Sequence, residues 1–455
     1  MENLTERYTA DIEKTLDFVD THIDNDVTSL ILNRSKWPEI DMELAVNCIE
    51  SRRKLRNKVP EWYENKNLVF PLKLSAEQCS STMTGRYKAE LAVRIVQIST
   101  SSADGKPARW KLADLTGGMG IDSWFFSGKA SEVLYCEMKE SLCLAACHNF
   151  KVLEKSGHGG GNIIVRNCCI ESENVAVQDR AANSVSPENL LKDFGPDIVY
   201  ADPARRSETG RKVFLIEECT PDILTLKDEI FSYARHLLLK LSPMADITMA
   251  CSRLGNQCRE VHIVSANDEC KELLIWMDRE WNGGYTITAT DLKSGNCLTF
   301  SPEEEKEATA DIASDEQIAE FMSNQNEDRF LFEPGKALMK AGAFNIVGKK
   351  SGLLKLGAST HYYIGYGHIS KDLQNLGKLF RIIRLEYLDK KTLKQAGTDF
   401  PGSDITARNL PADTDTYRRK MKISPKGDSG LNKHIFLLKS DGAGALLIAG
   451  EKVIG

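Results

Sequence analysis

Six short apolar runs between residues 111 and 266 constrain this chain most: "KLADL", "EVLYCE", "NIIVRNC", "PDIVYAD", "HLLLKLS" and "VHIVSA". Polar or helix-like sequence separates each from the next, and none alternates apolar with polar residues. Runs of that kind are strands covered on both faces, which predicts a mostly parallel sheet with flanking helices. Such a sheet gathers ligands in the crevice beyond the carboxyl ends of its strands. The polar residues that end these runs are therefore the first candidates for function.

The first run continues as "LADLTGGMGIDSW" (112–124), with Asp114 at its end and a glycine-rich turn after it. Gly118 and Gly120 let the backbone approach a ligand closely, and the helix start that follows offers free N–H groups to a carboxylate or phosphate. A dinucleotide fingerprint needs a third glycine at 123, which is Ser123 here. The second run ends in Glu137, placed to accept hydrogen bonds from ribose hydroxyls. The third closes as "RNCCIES", with Cys168 just past the strand. The fourth gives "YADPARR" (200–206), an Asp-Pro step followed by Arg205 and Arg206. The proline fixes φ and removes a donor, which holds Asp202 in one orientation. A fixed acceptor in a dry pocket can bind an N–H and take its proton.

"DLTGGMG", "CE" and "ADPAR" resemble motifs I, II and IV of class I S-adenosylmethionine-dependent methyltransferases. The resemblance implies a turn of Gly117, Gly118 and Gly120 around the methionine moiety, with Asp114 below it. Glu137 would hold the ribose and Asp202, with Pro203 and Arg205, would lie near the transferable methyl. Relatives often place an Asp against the adenine after the third strand; Cys168 stands there in this chain. "KLSAEQCSS", "DPARR", "LKLSPM" and "FEPGKALMKAGAF" are similar to stretches of a bacterial group with a helical N-terminal region, a ferredoxin-like insert and a THUMP-like C-terminal domain. The Asp-Pro step also resembles the Asp/Asn-Pro-Pro-aromatic motif of amine methyltransferases, with Arg205 replacing the aromatic. Uracil-carbon methylation needs a nucleophilic Cys beyond the fifth strand. That strand runs into Ser242-Pro243 and Cys251 comes later, which disfavours it.

The expected organisation is a helical region at 1–60, a Rossmann-like core at 61–280, a small ferredoxin-like segment with an acidic linker at 281–328, and a basic THUMP-like domain at 329–455. The fold class is therefore α/β: a Rossmann-like class I methyltransferase core between a helical N-terminal region and a small α+β module. In the first region Pro60 is expected to stop a helix. Ser75 or Thr84 is expected to cap one farther on, and "EQCSS" (77–81) with Lys88 either caps a helix or, as in related enzymes, folds over the cofactor. "YTITATDL" and "CLTFS" read as a hairpin with "KSGN" as its turn, and Trp276 and Trp281 as packing residues.

Charge is uneven. Residues 331–455 hold 21 Lys/Arg against 11 Asp/Glu, net +10 in a chain whose total is −6. A basic module on an acidic chain suits a polyanion, and Arg418, Arg419 and Lys420 would track phosphates. The twelve cysteines lie among strand- and helix-like segments and read as reduced cytoplasmic thiols. They show no zinc spacing, so no metal is expected, and no run is long enough to span a bilayer. The resemblance, and not the composition, implies methyl transfer from S-adenosylmethionine to a base of structured RNA, tRNA or rRNA. A protein or small-molecule methyltransferase, or a non-catalytic RNA-binding relative, is the alternative. The target nucleotide, the accepting atom and the oligomeric state are open at this level.

Overall fold

The computed structural model describes residues 11–99, 109–172, 181–205, 216–309, 311–324, 327–367, 370–423 and 432–453. The Arg205 side chain and Arg206 lie outside the described residues. The chain forms two compact units, one built from residues up to Arg259 with Glu272–Gly284, the other from Glu260–Lys271 with the sequence after Gly284.

The first unit opens with helices α1 (Asp11–Thr21), α2 (Val27–Leu32), α3 (Met42–Leu55), α4 (Pro60–Glu64), α5 (Lys73–Gln78) and α6 (Thr82–Ser99). Asp26 and Asp41 accept from the amides of Ser29 and Leu44, capping α2 and α3. Pro60 does not stop a helix: α3 has already ended at Leu55, and Pro60 occupies the first turn of α4, where its missing N–H costs nothing. Neither Ser75 nor Thr84 caps; Ser75 sits inside α5, and Ser81 Oγ accepts from the Thr84 amide at 3.2 Å. These helices join the sheet through one apolar cluster in which Trp62, Phe70 and Cys48 meet Tyr135 and Phe150. Asn149 pins the junction, accepting from Val69 N at 2.8 Å and donating to Val69 O at 2.9 Å.

Strands β1 (Lys111–Asp114), β2 (Glu132–Glu137), β3 (Ile163–Asn167), β4 (Ile198–Ala201) and β5 (His236–Leu241) pair in parallel in the order β3-β2-β1-β4-β5. Helices α7 (Ile121–Ser127), α8 (Glu140–Lys155), α9 (Ile223–Tyr233) and α10 (Ile247–Leu254) connect them. Every residue of β4 is buried, as the continuous apolar run requires. In register, Asp114 faces Tyr135 on one side and Tyr200 on the other, so β1, β2 and β4 end together. After β6 (Cys258–Ala266), β7 (Glu269–Asp278) returns antiparallel against β5. The sequence reading did not find β7. Trp276 lies on it fully buried, a packing residue as expected.

In the second unit β8 (Thr286–Asp291) and β9 (Cys297–Phe300) form the expected antiparallel hairpin, and β8 also pairs in parallel with β6. The acidic stretch forms two helices with capping boxes at Ser301 and Ser314. Ile318 and Phe321 of the second are buried. A seven-stranded sheet follows: β10 (Arg329–Pro334), β11 (Leu354–Lys355), β12 (Tyr363–Tyr366), β13 (Gly377–Tyr387), β14 (Asp404–Arg408), β15 (Lys433–Ser440) and β16 (Gly444–Lys452), in the order β11-β12-β10-β13-β16-β15-β14. Ile318, Phe321 and Phe380 share one of its apolar clusters; Leu393, Tyr417 and Met421 share another. The helix Thr414–Met421 carries Arg419 and Lys420 exposed. No helix among the described residues is long and apolar enough to cross a membrane.

Candidate active site

The glycine turn is folded around Asp114. This carboxylate is 1% exposed, accepting from Thr116 N at 3.0 Å and from Ser123 Oγ at 2.6 Å. Burial pushes its pKa up to about 7, against the pull of the Ser123 and Thr116 hydrogen bonds. Asp114 therefore shapes the turn from below and presents no open face. The three glycines differ in role. A Cβ on Gly117 would lie 2.1 Å from the Tyr135 ring, and one on Gly120 would lie 2.7 Å from Phe150. Those two make room for packing. Gly118, at φ 55°, is different: a Cβ there would meet nothing closer than Thr116 O at 3.8 Å. Its Cα faces open space, the cradle that a close-lying ligand needs.

Glu137, at the end of β2, fastens the same turn. Its Oε2 accepts from Gly118 N at 2.9 Å and its Oε1 from Lys139 N at 2.8 Å, while Tyr135 OH donates to Gly118 O at 2.6 Å. Each oxygen keeps a second lone pair. The helix after the turn, α7, has seven residues, too few for the anion-binding terminus expected of it. Its first turn instead carries an acid, Asp122. Cys168 is buried, and the hydrogen bond it shares with the Cys136 thiol holds its own pKa down. The polar groups at this corner are the Asn167 and Asn183 side chains, both donating to Met138 O.

The Asp-Pro step lies beside the turn. Asp202 N donates to Thr116 Oγ1 at 2.6 Å, and the next residues, Ala204–Arg205, pair antiparallel with Cys219–Thr220. The Asp202 side chain is 38% exposed, with Oδ2 accepting from Lys240 Nζ at 2.5 Å. A cavity of about 60 Å³ opens next to it, lined by Pro203, Ile216, Cys219, Leu241, Ser242 and Met249 among others.

Behind Asp202 runs a buried ionic network. Lys88, fully buried on α6, places Nζ 2.6 Å from Glu272 Oε2, 2.8 Å from Ser80 Oγ and 3.2 Å from Asp122 Oδ1. Ser80 Oγ lies 3.0 Å from Asp122 and 3.2 Å from Glu272, and Tyr200 OH donates to Asp122 at 2.8 Å. Burial alone would raise the Asp122 carboxyl, but Lys88 and Lys240, with the Tyr200 and Ser80 hydroxyls, hold it below the usual range. The network ties the "EQCSS" segment and α6 to the ends of β4 and β5 and to the start of β7.

Asp114, the glycines, Glu137 and Asp202 thus converge at one rim of the sheet, as the sequence implied. Cys168 stands at the same rim but turned into packing. Lys240, Asp122, Tyr200, Glu272 and Thr116 went unseen in the sequence, although two left a signal. Lys240 interrupts "HLLLKLS" and Glu272 precedes "LLIWM", and a charge in a buried strand requires a partner. Among the described residues no cluster of potential metal ligands occurs.

A family model of a ferredoxin-like domain matches residues 330–371, C-terminal to the segment 281–328 where the sequence reading put that fold. Comparison with curated proteins gives no match. Among solved structures, the chain is similar to that of a candidate methyltransferase from Porphyromonas gingivalis W83, at 26% identity and a TM-score of 0.76, over 97% of this chain and 98% of the other. The fold is that of an α/β methyltransferase-type core with a helical N-terminal region and a ferredoxin-like domain. Two partial likenesses follow. One is to an O-methyltransferase assigned in Agrobacterium tumefaciens, at 15% identity over 40% of this chain and 80% of the other, TM-score 0.28. The other is to the T. thermophilus 16S rRNA N2 G1207 methyltransferase solved with AdoMet and guanosine, at 13% identity over 42% and 43%, TM-score 0.25. Only the first of the three spans the chain.

Proposed function

We propose that this chain is an S-adenosylmethionine-dependent methyltransferase acting on a base of structured RNA, tRNA or rRNA. One observation carries the reading: a half-exposed carboxylate, Asp202, is locked beside a glycine turn whose middle residue faces open space. The full-length likeness to a candidate methyltransferase supports it.

S-Adenosylmethionine, when bound, supplies an activated methyl group. The open face of Gly118 would admit it, and the second lone pairs of Glu137 would accept from its ribose hydroxyls. Thr116 and Pro203 hold the Asp202 backbone and Lys240 its carboxylate, which would accept an N–H of the target base and orient the nitrogen toward the methyl. Ser242 and Met249 border the cavity where the base's edge enters. Arg205, one residue past the Asp-Pro-Ala turn, contacts the base or its phosphate. The basic segment 329–455, ferredoxin-like over 330–371 and THUMP-like beyond it in this reading, holds the rest of the RNA through its phosphates.

The test uses the full chain, tritiated S-adenosylmethionine and total RNA from cells lacking the gene. The reading expects label in tRNA or rRNA, in a single methylated nucleoside on digestion. Label entering protein or small molecules but not RNA favours the alternative enzyme. Cofactor binding with no transfer to any fraction indicates a non-catalytic relative.

A further inference from the structure

We propose that Lys240 is a positioning residue that fixes Asp202 as an ion-paired acceptor, so that the group seated against it must present an N–H edge and not a carbonyl or phosphate oxygen. The inference rests on the methyltransferase reading and narrows its substrate to an amino or ring N–H donor.

Lys240 lies in β5 among leucines at 0–6% exposure. An ammonium there loses several kcal/mol of hydration unless paired, and the pair it makes is with Asp202 Oδ2 at 2.5 Å. That contact holds the carboxylate, while the Asp202 N–H to Thr116 and the fixed φ of Pro203 hold the backbone on either side of it. Lys240 engages Oδ2, and Oδ1 is the oxygen this proposal assigns to the ligand. The charged neighbours of the pair are Lys88 and Lys58 on the cationic side, and Asp122, Asp114 and Glu272 on the anionic side. The Tyr200 phenol and Cys79 thiol also face it; burial pushes both up, so they stay neutral. Burial works against the Lys240 ammonium, yet Asp202, Glu272 and Asp122 together raise it, so it persists with Asp202 as its counter-ion. Burial leaves the Asp202 carboxyl above its ordinary range, and Lys240 holds it lower than burial alone would.

An anionic Asp202 accepts and cannot donate. A base edge bearing an oxygen is repelled, whereas an N–H is bound through Oδ1. As the nitrogen lone pair bonds to the methyl carbon, the carbon–sulfur bond breaks with its electrons left on sulfur. The N–H proton passes to Oδ1 and from there to water.

The test is a pH titration of the full chain labelled with 13C at the aspartate carboxyl, the Asp202 signal being identified by its loss in Asp202→Asn. In Lys240→Met its midpoint should rise by about one to three units relative to wild type, and Lys240→Arg should stay near wild type. Lys240→Gln should rise as Met does and serves if the Met variant does not fold. In transfer assays on the labelled RNA, the acid limb of the kcat profile should move up in parallel, with the KM for S-adenosylmethionine unchanged. An unmoved midpoint in the neutral variants, or an Arg variant that behaves like Met, overturns the inference. Full activity in Asp202→Ala overturns instead the functional reading beneath it, whatever Lys240 does.

Discussion

Lys88→Met should destabilise the first unit by about 3–5 kcal/mol, the range for breaking a buried pair from one side. The Lys88 side chain is 0% exposed, and the Glu272 and Asp122 carboxylates it serves are 5% and 12% exposed. Without the ammonium, two near-contiguous buried carboxylates face each other across Ser80. Lys240, the other buried cation nearby, is already committed to Asp202. At roughly 2–4 °C per kcal/mol for a unit of this size, the thermal midpoint should fall on the order of 10 °C. Removing one of the orphaned charges, in Lys88→Met with Glu272→Gln, should restore part of the loss. Differential scanning calorimetry of the three proteins measures both effects. A Lys88→Met variant as stable as wild type would mean the network is not formed as described.

Asp202→Ala should lower kcat for methyl transfer to RNA by about 10²–10⁴, the usual contribution of a positioned proton acceptor. Cofactor affinity should hold, because the glycine turn is fastened by Asp114, Glu137 and Tyr135 and not by the Asp202 side chain. Some stability should be lost, because Lys240 is left without its nearest anion and only the field of Glu272 and Asp122 offsets its burial. Single-turnover rates on the RNA that accepts label separate the two quantities. A variant weakened in cofactor binding with an unchanged chemical step would remove Asp202 from the reaction.

The parts of this site legible in the sequence are those that depend on local pattern. Continuous apolar runs announced the parallel strands, and the residues ending them, Asp114, Glu137 and Asp202, share one rim because parallel strands end on the same side. What stayed hidden depends on contacts between distant positions. Lys88 and Glu272 are 184 residues apart, and Asp202 and Lys240 are 38 apart. No periodicity links such pairs. Glu137 shows a second limit. It does end its strand at the glycine turn, but its oxygens hold the backbone amides of Gly118 in that turn and of Lys139 in its own, which spacing cannot reveal. Pro60 was misread for a related reason: a proline serves a helix start as well as a helix end, and only the backbone before it decides. Strand β7 escaped because it follows β6 after a two-residue turn, and "LLIWM" alone does not separate a strand from a buried helix.

The central claim is that the space above Gly118 is a cofactor site beside Asp202. Isothermal titration of S-adenosylmethionine into wild type and Gly118→Arg, with circular dichroism of both, tests it most directly. A Cβ at 118 points into the open space, so an arginine there should fill the site; at φ 55° a side chain costs about 1–2 kcal/mol, which the fold as a whole should absorb. The account predicts one-to-one binding by wild type and none by the variant, with superimposable spectra. Binding absent from wild type, or equal in the two proteins, would contradict it.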